Sequence, residues 1–202
     1  MGNPTLTQST NGGIAISGDV EVVQPTHNDL NANANMQIAD TDVSATNRVP
    51  VRAETITVAV APAVTAGAYA AGDCVGAEME FANFVQTAGD GGILKNALIV
   101  DDAGEEGSME LWLFDRTFTD PGDNAPWVAT EDDLHNLICI LSSATDGAWY
   151  DAGGTKSVCD IEASRAFILN GTSIFGQLVT REIITLVAVD DIRVILGALR
   201  NN

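Results

Sequence analysis

Lysine is nearly missing from this chain: Lys95 and Lys156 are the only two in 202 residues. Against nine basic residues stand 28 acidic ones, a formal net charge of −19. A charge of that size and sign repels phosphate and anionic lipid, so direct binding to nucleic acid or a membrane surface is not expected. Docking onto a basic protein surface, or holding cations, stays open. Aromatics are absent before Tyr69. The three cysteines, Cys74, Cys139 and Cys159, are odd in number and have no CxxC spacing and no histidine in register. That excludes a disulfide framework and a zinc site, and it reads as free buried thiols. No apolar run approaches the ~18 residues that span a bilayer. The N-terminus shows no charged region followed by an apolar one, so no secretory leader is expected. Met1-Gly2-Asn3 superficially matches a myristoylation start, but Leu6 stands where Ser or Thr is required.

What is present points to sheet. Hydrophobic residues make up 46% and charged residues 18%, which is enough for a core. Gly, Ala, Thr and Val are abundant and strong helix formers scarce, which argues against a helical bundle. Residues 1–48 are rich in Asn, Thr, Gly, Ser, Asp and Gln, with short β-like pieces at Gly13–Ser17 and Asp19–Val23. Such a segment buries too little apolar surface for a core of its own. It reads as an extended N-terminal arm, either disordered alone or ordered on a neighbouring subunit. Residues 49–202 read as a β-sandwich domain.

Within that domain Ile56, Val58 and Val60 share a strand face that ends at Pro62. Thr65–Asp73 reads as a Gly-punctuated turn. Val75–Asn83 alternates, with Ala77, Met79 and Phe81 inward and Glu78 and Glu80 outward. Ile93–Asp101 is a strand, Asp101–Gly107 a turn, and Ser108–Asp115 a strand apolar on both faces. Arg116–Asp133 is a loop closed by Thr130-Glu-Asp-Asp133, an N-cap pattern for a short helix over Glu131–Leu137. Strands follow at Leu137–Ser143, Lys156–Glu162 and Arg165–Leu169, with turns at Asp146-Gly147 and Gly153-Gly154 around Ala148–Tyr150. Two strands close the chain. Thr172–Arg181 sets Ile174, Gly176, Leu178 and Thr180 on one face, and Asp191–Arg200 does the same with Ile192, Val194, Leu196 and Ala198. The pair is expected near the centre of one antiparallel sheet. Short strands roughly ten residues apart, with no long helix between them, predict an all-β antiparallel sandwich. The expected core is Met79, Phe81, Leu98, Leu111, Leu113, Leu141, Phe167, Leu178, Val194 and Leu196.

Catalytic chemistry finds no footing. His27 lies in the polar arm and His135 in a polar loop, and no Gly-x-Ser-x-Gly or similar element supplies a nucleophile. The acidic turn Asp101, Asp102, Glu105, Glu106 and the loop bordered by Asp115, Asp120, Asp123, Glu131, Asp132 and Asp133 are the places where calcium could be sought. Neither follows an EF-hand, and both read as solvated acidic turns. Gly12-Gly13 and Gly91-Gly92 lack the lysine and helix of a phosphate loop. Asn170-Gly-Thr172 fits a glycosylation pattern but reads as a turn. Trp112 reads as core, whereas Trp127 and Trp149 flank turns and could form a carbohydrate platform. The sequence therefore offers no catalytic, cofactor-binding or metal residues, no cofactor is expected, and the chain is not expected to be an enzyme. Arg181, a lone cation at a strand end, is read as a partner for a carboxylate.

From Ala66 onward an ordered set of short elements resembles a family of tailed-bacteriophage virion structural proteins. These are Tyr69-Ala-Ala-Gly-Asp-Cys-Val75, Phe81-Ala-Asn83, Gly91-Gly-Ile93, Leu113-Phe-Asp115, Asp123-Asn-Ala-Pro126, Asp132-Asp-Leu134, Thr172–Arg181 and a last strand Ile192–Leu199. The match covers about two-thirds of the chain and leaves residues 1–65 outside it. The resemblance implies a sandwich of jelly-roll type with a structural role, without catalytic residues. Glu182–Asp191 departs from it, being apolar where such proteins carry a polar turn, which suggests a different loop or subunit contact there.

The resulting expectation is a capsid decoration (cement) protein on the virion surface, made in the host cytoplasm. Its partners would be the major capsid protein and itself, as a homotrimer. The alternatives are a tail, head–tail junction or fibre-base component, or a carbohydrate-binding adsorption module.

Overall fold

The computed structural model describes residues 53–201 and, nearer the N-terminus, two short strands, β1 (Leu6–Gln8) and β2 (Ile14–Ile16). The chain divides into two units, Met1–Pro50 and Val51–Asn202. In the first, β1 and β2 pair antiparallel with Leu6 opposite Ile16. β2 falls within the β-like piece at Gly13–Ser17. The extended arm expected over residues 1–48, with Asp19–Val23 and His27, otherwise lies outside the described residues.

The second unit is built from antiparallel sheets packed face to face. Its strands are β3 (Ala53–Val60), β4 (Gly67–Tyr69), β5 (Met79–Phe81), β6 (Gly91–Asp101), β7 (Met109–Phe114), β8 (Leu137–Ser142), β9 (Gly147–Gly153), β10 (Lys156–Ile168), β11 (Ile174–Thr180), β12 (Ile184–Leu186) and β13 (Ile192–Asn201). One sheet has the order β3-β13-β6-β10-β9 and the facing one β5-β11-β7-β8; β12 and β4 form a small third sheet. The pairing is nested. β3 pairs with β13, β5 with β11, β6 with β10, and β7 with its neighbour β8. Folding one long hairpin over on itself gives this order, and it is the order of a jelly roll, with β9 added at one edge.

Period-two alternation supplies the core between the sheets. Ile56, Val58 and Val60 of β3 pack against it, and Leu94, Ala97, Ile99, Cys159, Ile161, Val194, Leu196 and Ala198 complete the five-stranded face. Met79, Phe81, Leu111, Leu113, Leu141, Ile174 and Leu178 come from the other sheet. Each fully buried Leu, Ile or Phe contributes roughly 1.5–3 kcal/mol relative to exposure, so this layer carries most of the stability. The predicted short helix is present as α1 (Glu131–Leu134), with a reciprocal capping box between Thr130 and Asp133.

Several expectations are corrected. The two closing strands do not pair: β11 is interior to the four-stranded sheet and β13 to the five-stranded one. Leu98 is half-buried on the outer face, because Ala97 and Ile99 take the inward positions after a register shift opposite Asn96. Lys156–Glu162 and Arg165–Leu169 are one strand, β10, with a bulge between Glu162 and Arg165. Ala148–Tyr150 lies within strand β9. The alternation over Val75–Asn83 shortens to β5, with Ala77 and Glu78 half-buried ahead of it. The segment Thr65–Asp73 contains a strand, β4, because Ile184–Leu186 lies alongside it and supplies a hydrogen-bonding edge.

Candidate functional site

Three sequence elements far apart in the chain meet along the edge of β11, beyond its pairing with β5. Cys74 pairs as an isolated bridge with Val179, and Asp73 with Pro126. The amide of Gly72 donates to Thr180 O at 2.7 Å, that of Thr180 returns to Asp73 O at 3.0 Å, and that of Val75 donates to Leu178 O at 2.8 Å. Cys74 N donates to Ala125 O, Asn124 N to Cys74 O, and Trp127 N to Gly72 O, all within 2.9 Å. The Tyr69–Val75, Asp123–Pro126 and Thr172–Arg181 elements are thus one hydrogen-bonded junction.

Asp123 is its polar centre. Its carboxylate accepts the Tyr69 hydroxyl at 2.9 Å, the Thr65 amide at 2.9 Å, the Thr65 hydroxyl at 2.8 Å and the Gly76 amide at 2.7 Å. Tyr69 is fully buried, and burial, with the Asp123 carboxylate adding to it, pushes its phenol above the ordinary range. Gly76 has φ +80°, and a Cβ there would run into the side chain of Pro62. Gln177 is also buried and donates to Gly76 O at 2.9 Å.

Beside the junction lies an aromatic layer. Trp127 packs edge-on against Trp112 at 5.7 Å and Phe118 at 5.5 Å, and Phe114 closes the group. The strand Ser108–Asp115 is covered on both faces as expected: Leu111 and Leu113 on the core side, Phe114 and half-buried Trp112 beneath this loop. Trp127 and Trp149 therefore form no exposed platform. Trp127 is held in the aromatic layer and Trp149 packs partly buried against the core.

In the two acidic loops Asp101, Asp120, Asp123 and Asp133 accept backbone amides. Asp101 is fully buried, not solvated, and accepts the amides of Ala103, Gly104, Glu105 and Glu106 at 2.9–3.0 Å. Asp133 caps α1 and takes the Thr119 amide at 3.1 Å. Asp120 accepts from Glu78 and Gly122. Asp115 meets Arg116 and Asn170. Among the described residues no three His, Cys, Asp or Glu side chains are grouped to hold a metal ion. In a chain this poor in lysine, loop amides take the place of cations as carboxylate partners.

Arg181 has the partner expected for it: its guanidinium lies 2.6 Å from Glu110. His135 is the exposed C-cap of α1. Cys74 and Cys159 are buried free thiols and Cys139 is partly buried.

One surface feature was only half visible in the sequence. In the apolar segment after Arg181, Ile184 and Leu186 are buried, while Ile183, Val187 and Val189 are 76%, 72% and 66% exposed. The apolar composition signalled the segment, but only the pairing of β12 with β4 decides which side chains face outward. No family model, curated protein or solved structure matches the chain.

Proposed function

We propose that this chain is a capsid decoration protein of a tailed bacteriophage, binding the outer shell and reinforcing it against the pressure of packaged DNA. The observation that carries this reading is the junction along β11. The elements that resemble the phage family, Tyr69–Val75, Asp123–Pro126 and Thr172–Arg181, are hydrogen-bonded to one another and share one structural task. Elements that resemble a family in sequence order and also meet in space support that resemblance better than dispersed matches would.

Two further observations agree with it. The nested jelly-roll order is a sandwich architecture used in capsid domains, although fold alone does not determine function. The net charge of −19 suits docking to basic patches on a shell and opposes contact with DNA. Repetition around a symmetric oligomer, a homotrimer in this reading, would multiply modest contacts into firm attachment.

Imaging of particles carrying the labelled chain tests the proposal. Many symmetry-related copies over the shell are expected. A few copies confined to the tail would replace it with the tail or junction reading, and absence from the particle would overturn it.

A further inference from the structure

We infer that the β12 segment is the surface through which the chain docks to its protein partner, and that the partner presents an apolar pocket bordered by Lys or Arg. This inference rests on the decoration reading and names the contact that it would use.

The side chains concerned are presented, not merely left over. Ile184 and Leu186 anchor β12 from the inside, each 1% exposed, while alternation turns Ile183, Thr185 and Val187 outward. The following loop is held from below. The carboxylate of Asp191, itself 6% exposed, accepts the amides of Val187 at 2.6 Å and Ala188 at 2.7 Å. Its carbonyl accepts the amide of Asp102 at 2.7 Å. Ile183, Val187 and Val189 are thus outward-facing β-branched side chains on a pinned segment, with little conformational freedom to lose on binding. Exposed apolar groups arranged this way mark an interaction site.

The border of this ridge identifies the occupant. The Asp102–Ser108 turn runs alongside it: Ser108 N donates to Glu182, Arg181 N donates to Ser108 O, and a Cβ on Gly107 would press on Ile184. This turn carries Glu105 and Glu106, and the ridge segment carries Glu182 and Asp190, all exposed. Nearby cations are mostly engaged, Arg181 with Glu110 and Lys156 with Asp102; exposed Arg193 shares a groove with Asp102 and Asp190. A second copy would bring these carboxylates face to face, and anionic lipid or nucleic acid would be repelled. A protein surface with basic residues around an apolar pocket is complementary on both counts.

The test uses the full chain and DNA-free shells assembled from the major capsid protein of the same phage. Three proteins are compared: wild type, Ile183→Ser/Val187→Ser/Val189→Ser, and Glu105→Gln/Glu106→Gln/Glu182→Gln/Asp190→Asn. The first variant is expected to lose at least about tenfold in affinity, which is ~1.4 kcal/mol, with an unchanged melting midpoint and sedimentation mass. The second should bind more weakly at low salt and lose much of the salt dependence. Wild-type binding matched by the serine variant overturns the β12 surface and leaves the decoration reading standing. Failure of wild type to bind overturns both. A fall in the serine variant's sedimentation mass identifies a second copy as the occupant and overturns the inference.

Discussion

Arg181 and Glu110 form a short ion pair, 2.6 Å from guanidinium to carboxylate, in which the residue following Thr180 reaches back to the carboxylate that stands opposite Val179 in the β11–β7 ladder. Glu110 also accepts the indole N–H of Trp112 at 3.0 Å. The Arg181 hydrogen bond holds the Glu110 carboxyl below its usual range, against an opposing push from burial. A carboxylate whose folded value is depressed contributes stability above its unfolded value, about 4.3, and loses that contribution as pH falls through the folded value. Arg181→Met should therefore destabilise the chain at pH 7, by less than about 1 kcal/mol because the pair is partly exposed. Urea titrations at pH 7 and pH 3 check this. The gap between wild type and variant should close at the lower pH, and a gap that persists would assign Arg181 a packing role instead.

Asp101 is the reverse case, a carboxylate without a cation. Four amides converge on its two oxygens, all at 2.9–3.0 Å, at the end of β6. Charge-assisted bonds of this kind contribute roughly 1.5–3 kcal/mol each when broken singly, and not additively. Asp101→Ala should cost about 3–5 kcal/mol and Asp101→Asn somewhat less, since an amide keeps one acceptor but turns donors toward donors. Denaturant midpoints measured for both rank them. If Asn matched wild type, the charge would have no role in holding this turn.

The fold was legible where local pattern and tertiary environment agree. Thr172–Arg181 alternates cleanly, and its core-side residues Ile174 and Leu178 are fully buried. The same pattern misplaced Leu98, because the shift beside Asn96 changes phase within β6 and nothing in the local sequence marks it. Gly67–Tyr69 looked like a turn, since Gly and Ala carry little β signal; its partner Ile184–Leu186 is more than a hundred residues away, and only that pairing makes it a strand. The acidic loops were legible as loops but not as staples. That Asp101, Asp133 and Asp191 are turned toward backbone amides depends on loop conformation, which composition does not encode.

The thiols offer a probe of global opening. Burial pushes Cys74 up to about 12, and Cys139 and Cys159 up to about 11. Because the thiolate is the reactive form, native protein at pH 8 should react slowly with a disulfide reagent, far below the rate of a free cysteine with pKa about 8.5. In denaturing urea all three should react at once. Fast labelling of any one in native conditions would place its segment in a locally open state; Cys139 in β8, only partly buried, is the most sensitive test.

Tyr69 and Asp123 test whether the junction along β11 is a cooperative unit. The single proton of the Tyr69 hydroxyl is shared between Asp123 and Thr65 O, each 2.9 Å away, while Asp123 also holds the Gly76 amide. Tyr69→Phe keeps the buried ring and removes only the hydroxyl, at an expected cost of about 1–2 kcal/mol. Asp123→Ala leaves the Gly76 amide without this acceptor and takes one partner each from the Tyr69 hydroxyl, the Thr65 amide and the Thr65 hydroxyl, so it should cost more, about 2–4 kcal/mol. Because the two side chains touch, the double variant should fall short of the sum by about 1 kcal/mol or more. Gly76→Ala supplies an independent reading. Its φ of +80° is strained for any other residue, and the added Cβ collides with Pro62, so it should weaken the same unit through the backbone. Thermal and urea unfolding of the four variants give the coupling directly. Strict additivity of Tyr69→Phe and Asp123→Ala would mean that the elements meeting here are neighbours without being a unit, and it would remove the structural support that this junction lends to the family resemblance.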